Sequence, residues 1–174
     1  MDLNKGLVHV YTGDGKGKTT AAIGQAVRAA GTGLSVCIMQ FLKTSESGEL
    51  KSLEQLGISV IRKETVTGFF YQLSNSQKEQ LKCEVDYEFE LAKKILPQYD
   101  IVILDEIFGV IENGLIPVSA LKRMIRKKPS GTELILTGRH APEEIINCAD
   151  YVSEINVVKH PMDMGIPARE GIEF

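Results

Sequence analysis

The sequence predicts a single α/β domain, in which helices cover both faces of a mostly parallel sheet. Apolar runs typical of strands alternate with helix-forming segments along the whole chain. Four of these runs are almost uninterrupted, as expected of strands that are buried on both faces of a parallel sheet. The 174 residues contain no internal repeat, low-complexity tract or linker, which favours one domain over residues 1–174.

The strand candidates are short and separated by turn-forming residues. The first, second, fourth and fifth carry the uninterrupted apolar pattern. We expect right-handed crossovers, because helices join successive parallel strands. The predicted strands are 7–11, 35–41, 59–62, 101–104, 133–137 and 151–158.

Helical segments fit between these strands. Gly31 and Gly57 follow the first two helices as C-terminal caps, and Pro97 ends the third. Ser76-Gln77-Lys78-Glu79 matches a capping box at the start of the third helix, with Ser76 as the N-cap residue. The predicted helices are 19–30, 48–56, 76–96, 118–127 and 142–147.

The most informative segment joins the first strand to the first helix. Its residues are Gly13-Asp14-Gly15-Lys16-Gly17-Lys18-Thr19-Thr20. Glycines let consecutive N–H groups point at an anion, and the ending Gly-Lys-Thr is that of a phosphate-binding P-loop. Lys18 is therefore predicted to bind outer phosphates, and Thr19 a magnesium ion. The P-loop pattern has a glycine at position 12, where this sequence has Thr12.

A second nucleotide-binding signature is the apolar strand that ends in Asp105-Glu106. Such a strand delivers a carboxylate to the magnesium ion beside the P-loop threonine. Neighbouring residues of a strand point to opposite faces, so the spacing leaves open which acid reaches the metal. Together with the P-loop, this strand predicts an ATP- or GTP-binding domain that uses magnesium.

An arginine and a histidine follow the predicted strand at 133–137. In this position Arg139 can bind a phosphate through two parallel hydrogen bonds, or it can form a structural salt bridge. His140 could act as an acid or a base. We expect an exposed or capping histidine instead, because Pro142 follows closely.

Phe69-Phe70-Tyr71 form an aromatic run after Gly68. Three successive aromatic residues cannot all face one side, so the run is either core packing or a binding surface for a large, flat, apolar ligand. Loops that follow strands build the ligand crevice of open α/β sheets. The P-loop and the segments 43–47 and 65–72 are therefore expected on one rim.

Composition limits the partners. A net charge of −3 argues against nucleic acid as the main partner, and the basic residues at 122–128 are expected to be a solvated helix end. No apolar stretch approaches the ~20 residues of a membrane helix. No signal peptide is recognisable before the first strand, so a cytosolic protein is expected.

The three cysteines are too far apart in the sequence for a disulfide framework or a zinc site.

These motifs belong to a longer resemblance. From about residue 6 to residue 174, the sequence resembles the P-loop corrinoid adenosyltransferases. The modified P-loop and the C-terminal residues are the most specific parts. The matching segments are residues 10–22, Gln40-Phe41-Leu42-Lys43, Gly68-Phe69, Leu104-Asp105-Glu106, Thr137-Gly138-Arg139, residues 149–154, and the stretch from Lys159-His160-Pro161 to Gly171-Ile172-Glu173-Phe174.

The resemblance implies a RecA-like fold, usually in a homodimer, and transfer of the 5′-deoxyadenosyl group of ATP to Co(I). The acceptor would be a reduced corrinoid, either cobalamin or cobyrinic acid a,c-diamide, and triphosphate would leave. A cellular reductant such as a flavoprotein would be a further partner. The P-loop would hold the triphosphate in a reversed sense that presents C5′, which gives Thr12 a reason to be tolerated.

The resemblance also implies roles for individual residues. Lys18 and Arg139 would stabilise the departing triphosphate, and Thr19 and Glu106 would ligate Mg²⁺ (or Mn²⁺). Tyr71 and Phe69 would crowd the lower axial face of the corrinoid. ATP would bind to the P-loop residues Gly13, Asp14, Gly15, Lys16, Gly17, Lys18, Thr19 and Thr20.

Two other functions are compatible with the same nucleotide-binding motifs. A RecA-like ATPase would use Glu106 to activate water and would release ADP and phosphate. A carrier would bind ATP and a corrinoid without turnover. The products formed from ATP in the presence of a reduced corrinoid distinguish all three.

Overall fold

The computed structural model describes residues 5–43, 47–63 and 70–173. Within these residues, six strands form one sheet in the order β3-β2-β4-β5-β1-β6, and all strand pairs are parallel. The strands are β1 (Val8–Thr12), β2 (Val36–Gln40), β3 (Ser59–Ile61), β4 (Ile101–Asp105), β5 (Glu133–Thr137) and β6 (Tyr151–Glu154).

Helices connect these strands and cover both faces of the sheet. Short 3₁₀ segments lie at Phe70–Gln72, Leu96–Gln98 and Pro161–Met164. The α-helices are α1 (Lys18–Ala30), α2 (Glu49–Gln55), α3 (Asn75–Ile95), α4 (Ile107–Glu112), α5 (Val118–Lys127) and α6 (Glu143–Ile146).

The hydrophobic core lies in two layers, one on each face of the sheet. Every residue of β2 and β4 is buried. Along β4, Val102 and Leu104 pack into the larger cluster, whereas Ile101 and Ile103 pack into the cluster beneath α1. The prediction of strands buried on both faces is thus confirmed for β2 and β4, whereas β1 is only half-buried at His9 and Tyr11.

The strand order places three motif-bearing strands side by side. β4, β5 and β1 are neighbours in the sheet, and the P-loop, Asp105 and Arg139 lie at or just after their carboxyl ends. Because parallel strands end at the same edge, these residues lie on one rim, as predicted for the P-loop. Residues 44–46 and 65–69 of the other two predicted rim segments lie outside the described residues.

Two predicted boundaries are wrong. The N-cap residue of α3 is Ser74, not Ser76. Its Oγ accepts a hydrogen bond from the Gln77 N–H at 3.3 Å, and Gln77 Oε1 accepts one from the Ser74 N–H at 3.0 Å. The helix therefore begins before Ser76, because an equivalent capping pair lies two residues upstream.

Strand β6 ends at Glu154 rather than at residue 158. The next residue, Ile155, leaves the sheet and bonds to the P-loop instead, because its N–H donates to the Thr12 carbonyl at 2.8 Å.

The sequence analysis also missed α4, a six-residue helix with Gly109 near its middle. Its low helix propensity hides it from pattern analysis, and packing of Ile107, Phe108 and Val110 in the core stabilises it.

The longest helix, α3, has 21 residues and carries charged side chains along its length. None of the helices in the described parts of the chain is both long and apolar enough to cross a membrane. The basic residues Arg126 and Lys127 lie in the last turn of α5, where they complement the helix dipole. Lys122, one turn earlier, forms an ion pair with Glu144 at 2.8 Å.

Candidate active site

The first part of the P-loop, residues 12–15, is anchored to the protein; we call it the P-loop head. The Thr12 hydroxyl donates a hydrogen bond to the Arg139 carbonyl and accepts one from the Ala141 N–H at 3.1 Å. The Gly13 N–H donates to the same Arg139 carbonyl at 2.8 Å. The head is therefore tied to the segment that follows β5.

A second anchor of the head is Ile155. The Gly15 N–H donates to the Ile155 carbonyl at 2.7 Å. A Cβ atom at Gly13 or Gly15 would lie 2.5 or 2.6 Å from that carbonyl oxygen, so only glycine permits the approach. The N–H groups of Gly13 and Gly15 thus donate to protein carbonyls, and the ATP contacts predicted for these two residues remain predictions.

The rest of the loop, residues 16–20, faces a cavity; we call it the P-loop end. The cavity has a volume of about 760 Å³, and all five residues of the P-loop end line it. Gly17 has a φ of 125° and nothing within 4 Å of the position of a Cβ atom, so glycine is required here by conformation alone.

Lys18 is buried, and its ammonium lies within the P-loop. Its Nζ donates a hydrogen bond to the Gly15 carbonyl at 2.7 Å. Burial lowers the pKa of Lys18, the nearby Arg139 charge lowers it further, and Glu106 opposes both effects. The charges of Asp14 and Asp105 also raise it, and an anion bound in the cavity would act in the same direction.

Asp105 is the acid that contacts the P-loop threonine. Its Oδ1 accepts hydrogen bonds from the hydroxyls of Thr19 at 2.8 Å and Thr137 at 2.7 Å. The residue is 1% exposed, and its Oδ2 lies 3.2 Å from the Nζ of Lys43. Thr19, β4, β5 and the segment after β2 thus meet at one buried carboxylate.

Glu106, the predicted metal ligand, has a left-handed backbone with a φ of 62°, and its N–H donates to Thr137 Oγ1 at 3.0 Å. Burial and the neighbouring Asp105 raise the pKa of its carboxyl, whereas Lys18 and Lys43 lower it. Leu42 and Glu106 are the non-glycine residues with positive φ in the described ranges, and both line the cavity. Strained backbone at a cleft is typical of functional sites.

A further part of the cavity lining is formed by the residues after β2 and the start of α2. Lys43 lies 3.5 Å from Glu49, and the Gln40 amide donates to the same carboxylate at 3.4 Å. Burial raises the pKa of Glu49, but hydrogen bonds from Ser47 and Gln40 and the charge of Lys43 lower it overall. This part of the lining therefore presents a cation, Lys43, that is already held by carboxylates.

The C-terminal segment, residues 155–173, closes the cavity near Lys16. Gly171, Ile172 and Glu173 line the cavity together with the P-loop end. Lys16 Nζ donates to the Ile172 carbonyl at 2.9 Å and to Glu173 Oε1 at 3.2 Å. The C-terminal segment thus packs against the nucleotide-binding motif.

Comparison with known proteins assigns the family. The family model described as ATP:corrinoid adenosyltransferase BtuR/CobO/CobP matches residues 4–174. The chain belongs to this corrinoid adenosyltransferase family. Corrinoid adenosyltransferase CobA of Salmonella typhimurium is 34% identical over 171 residues, which cover 98% of this chain and 86% of that protein. The corrinoid adenosyltransferases of Escherichia coli K12 and Pseudomonas aeruginosa are 35% and 30% identical, with coverage of 98% of this chain and 86% and 84% of the relatives.

A solved structure supports the fold of this chain. The KaiC-like protein PH0186 of Pyrococcus horikoshii superposes with a TM-score of 0.53 over 90% of this chain and 75% of that chain, at 17% identity. At that identity the likeness concerns the fold alone. With the all-parallel sheet and the P-loop between β1 and α1, it confirms the predicted RecA-like α/β fold.

The structure brings some of the predicted site residues together and leaves others outside the cavity. Lys16, Gly17, Lys18, Thr19, Thr20 and Glu106 line the cavity. Asp14 does not line it and lies with Oδ1 3.7 Å from His140 Nε2, and Arg139 is exposed on the rim beside the head. Tyr71 is 76% exposed, and Phe69 lies outside the described residues.

Sequence reasoning kept Asp105 as one of two possible metal ligands and assigned no role to Lys43, Gln40 or Glu49. The sequence signal that could have identified Asp105 is its position as the last residue of β4. In the β2–β4 register, Asp105 lies beside Gln40. Lys43 and Gln40 were part of the family resemblance only. Glu49 carries no local pattern that marks it as a site residue.

Proposed function

We propose that the chain transfers the 5′-deoxyadenosyl group of ATP to the Co(I) of a reduced corrinoid and releases triphosphate. The observation that carries the proposal is membership of the ATP:corrinoid adenosyltransferase family over residues 4–174. The cavity supports it, because the P-loop end and the buried Lys18 offer an anion site beside a rim that is open to a second substrate.

The reaction needs no nucleophile from the protein. The Co(I) electron pair forms a bond to C5′, and the C5′–O5′ bond breaks with its electrons passing to the triphosphate oxygen. The chain's own residues would bind and orient the triphosphate in line with the cobalt and stabilise its charge as it leaves. Lys18 and Arg139 supply cationic groups for that purpose, and Lys43, which pairs with Asp105, supplies a third.

Magnesium fits the oxygen ligands around Thr19. The Thr19 hydroxyl and the two acids at the end of β4 are the ligand types that Mg²⁺ uses together with substrate phosphates. Oδ2 of Asp105 is buried, and the Nζ of Lys43 lies 3.2 Å from it. We propose that Thr19 with Asp105 or Glu106 holds the ion. When bound, it would neutralise charge on the triphosphate.

The corrinoid would bind on the rim outside the cavity. We propose that Tyr71, together with Phe69, contacts it from the segment before α3; the large exposed surface of Tyr71 supports this. A cellular reductant such as a flavoprotein would supply Co(I). We also propose a homodimer, which the exposed Tyr151 and Val152 of edge strand β6 support. Light scattering of the purified chain measures its mass in solution.

A product analysis tests the proposal. The chain is incubated with ATP, Mg²⁺ and a chemically reduced corrinoid in the dark, and the nucleotide products are separated by ion-exchange chromatography. We expect triphosphate and a light-sensitive cobalt–carbon product in equal amounts. A parallel reaction uses the β,γ-imido analogue of ATP, in which C5′ is unchanged. Adenosyl transfer should continue with the analogue, whereas hydrolysis of the γ-phosphate should stop.

The outcomes separate the three functions. ADP and phosphate as products, with no reaction of the analogue, would show an ATPase and overturn the proposal. Binding of ATP and corrinoid without any product would show a carrier. A reaction without reductant is the matched control, since the adenosyl acceptor must be Co(I). Comparing cobalamin with cobyrinic acid a,c-diamide then identifies the preferred acceptor.

A further inference from the structure

Thr12 occupies the position where the P-loop pattern has glycine, and its hydroxyl both donates and accepts a hydrogen bond. The residue is 7% exposed. Its hydroxyl donates to the Arg139 carbonyl and accepts from the Ala141 N–H at 3.1 Å. A glycine at this position would leave the Ala141 N–H without this partner. The departure from the pattern therefore adds two hydrogen bonds between the P-loop head and the segment after β5.

These two bonds belong to a longer set of contacts between the same segments. The Gly138 N–H donates to the Tyr11 carbonyl at 3.3 Å, and the Gly13 N–H donates to the Arg139 carbonyl at 2.8 Å. The Arg139 carbonyl thus accepts from both residues 12 and 13. Gly138 has a φ of 145°, and a Cβ there would lie 2.6 Å from the Phe108 Cβ, so the path into Arg139 is tightly constrained.

We propose that Thr12 is a positioning residue, which holds the backbone of Arg139 against the P-loop head so that its guanidinium reaches the triphosphate bound at Lys18. This inference rests on the proposed function, in which Arg139 binds the leaving triphosphate. Thr12 itself would not touch the substrate. Its role is to fix the backbone of residue 139, from which the long arginine side chain extends. An exposed arginine already loses considerable rotamer entropy when it binds, and a fixed backbone avoids a further loss.

The charge distribution supports this placement. The Arg139 charge acts on both Lys18, whose pKa it lowers, and Glu106, whose pKa it also lowers. Lys18 and Glu106 both line the cavity, so the Arg139 charge acts on two groups of that site. A backbone anchor at residue 139 leaves the side chain free to turn toward a phosphate.

A double-mutant cycle in triphosphate binding tests the inference. Calorimetry measures the affinity of inorganic triphosphate with Mg²⁺ for the full chain and for Thr12→Val, Arg139→Ala and the double variant. We expect each single variant to weaken binding about tenfold, which is a common cost of losing one charge-assisted contact or its support. In the Arg139→Ala background, Thr12→Val should change the affinity by less than about twofold.

Thr12→Ser is the matched control, because it keeps the hydroxyl and loses only a methyl group. It should bind triphosphate within about threefold of the wild type. If Thr12→Val does not fold, the cycle is repeated with Thr12→Gly, which restores the usual P-loop residue. Equal effects of the Thr12 substitution with and without Arg139 would overturn the inference, as would a loss of thermal stability with unchanged triphosphate affinity.

Steady-state kinetics keep this result separate from the proposed function. Under adenosyl transfer, Thr12→Val should lower kcat as well as kcat/KM for ATP, because Arg139 acts on the departing group. Formation of ADP would overturn the proposed function, while the binding cycle would still report on Thr12. Formation of triphosphate with an additive cycle would leave the function intact and overturn the role of Thr12.

Discussion

The two halves of the P-loop differ in what their atoms contact. In the head, residues 12–15, the N–H groups of Gly13 and Gly15 donate to the carbonyls of Arg139 and Ile155. In the end, residues 16–20, the side chain of Lys18 and the backbone around it line a cavity of about 760 Å³. The backbone of the head is hydrogen-bonded to other segments of the protein, whereas the end lines a cavity that can hold a ligand.

This difference explains where the sequence departs from the P-loop pattern. Thr12 replaces glycine in the anchored half, where a side chain can strengthen the attachment. Gly17, Lys18 and Thr19 follow the pattern in the open half, where anion binding depends on backbone shape and charge. The head is thus a structural support for the end, and substitutions in each half should have different effects.

Lys18→Ala should give the largest effect, and on activity rather than stability. Removing the buried ammonium from the triphosphate site should lower kcat/KM for ATP about 10³-fold, or about 4 kcal/mol of transition-state stabilisation. Steady-state kinetics measure the loss, and thermal unfolding should show little change. Lys16→Ala is the matched control, because Lys16 is exposed and bonds to the C-terminal segment. Similar losses in both variants would contradict a special role for Lys18.

Gly15→Ala should act on the anchored half through stability. The new Cβ would lie 2.6 Å from the Ile155 carbonyl oxygen, a backbone atom that cannot move away cheaply. We expect a loss of about 2–4 kcal/mol in the free energy of unfolding. Denaturant titration measures it.

Gly24→Ala is the control for that substitution. Gly24 lies within α1 with nothing within 4 Å of its Cβ position, and alanine there should stabilise the protein by about 0.5–1 kcal/mol. A Gly15→Ala protein as stable as the Gly24→Ala protein would show that the head is not tightly anchored.

Glu88 provides a reference outside the P-loop. Burial raises the pKa of this α3 carboxyl to about 7, although Lys63 opposes the shift. The folded protein therefore binds the proton more tightly than the unfolded chain, and stability falls as the pH rises from the ordinary glutamate pKa to about 7. Glu88→Gln should remove this fall and be more stable than wild type at pH 8, by about 1–3 kcal/mol.

Urea titration at pH 5 and at pH 8 measures the free energy of unfolding and tests that prediction. The control is Glu79→Gln, at an exposed position on the same helix. The difference between wild type and Glu88→Gln should be small at pH 5 and clear at pH 8. A pH-independent difference would mean that hydrogen bonding, not titration, sets the stability at this site. Adenosyl transfer should change little, since Glu88 does not line the cavity.

The smallest effect is expected at the contact between the P-loop end and the C-terminal segment. Lys16→Met removes the bonds to Ile172 and Glu173 while keeping the length of the side chain. Because this ion pair is exposed, KM for ATP should rise by only about two- to fivefold. Raising the salt concentration should narrow the difference between wild type and variant. A loss as large as that of Lys18→Ala would place Lys16 directly on the triphosphate.

Much of the rim was predictable because its signals are local. The P-loop is one contiguous segment, and the alternation of apolar strands and helices identified the strands that carry it. Asp105 and Glu106 were recognised as a pair, but not separated. Their difference depends on strand register and on the turn into α4, where Glu106 adopts a left-handed backbone. A local sequence pattern contains neither the register of the strand nor the conformation of the turn.

The sequence by itself determined the parallel α/β architecture, the phosphate-binding loop and the pair of acids, because periodicity and short motifs act between near neighbours. Only the tertiary structure decided that Asp105 bonds to Thr19 and that Ile172 lies against Lys16, across 86 and 156 residues. Such contacts depend on which strands are adjacent and on how loops pack at their ends. For that reason the anchored half of the P-loop became recognisable only in the folded chain.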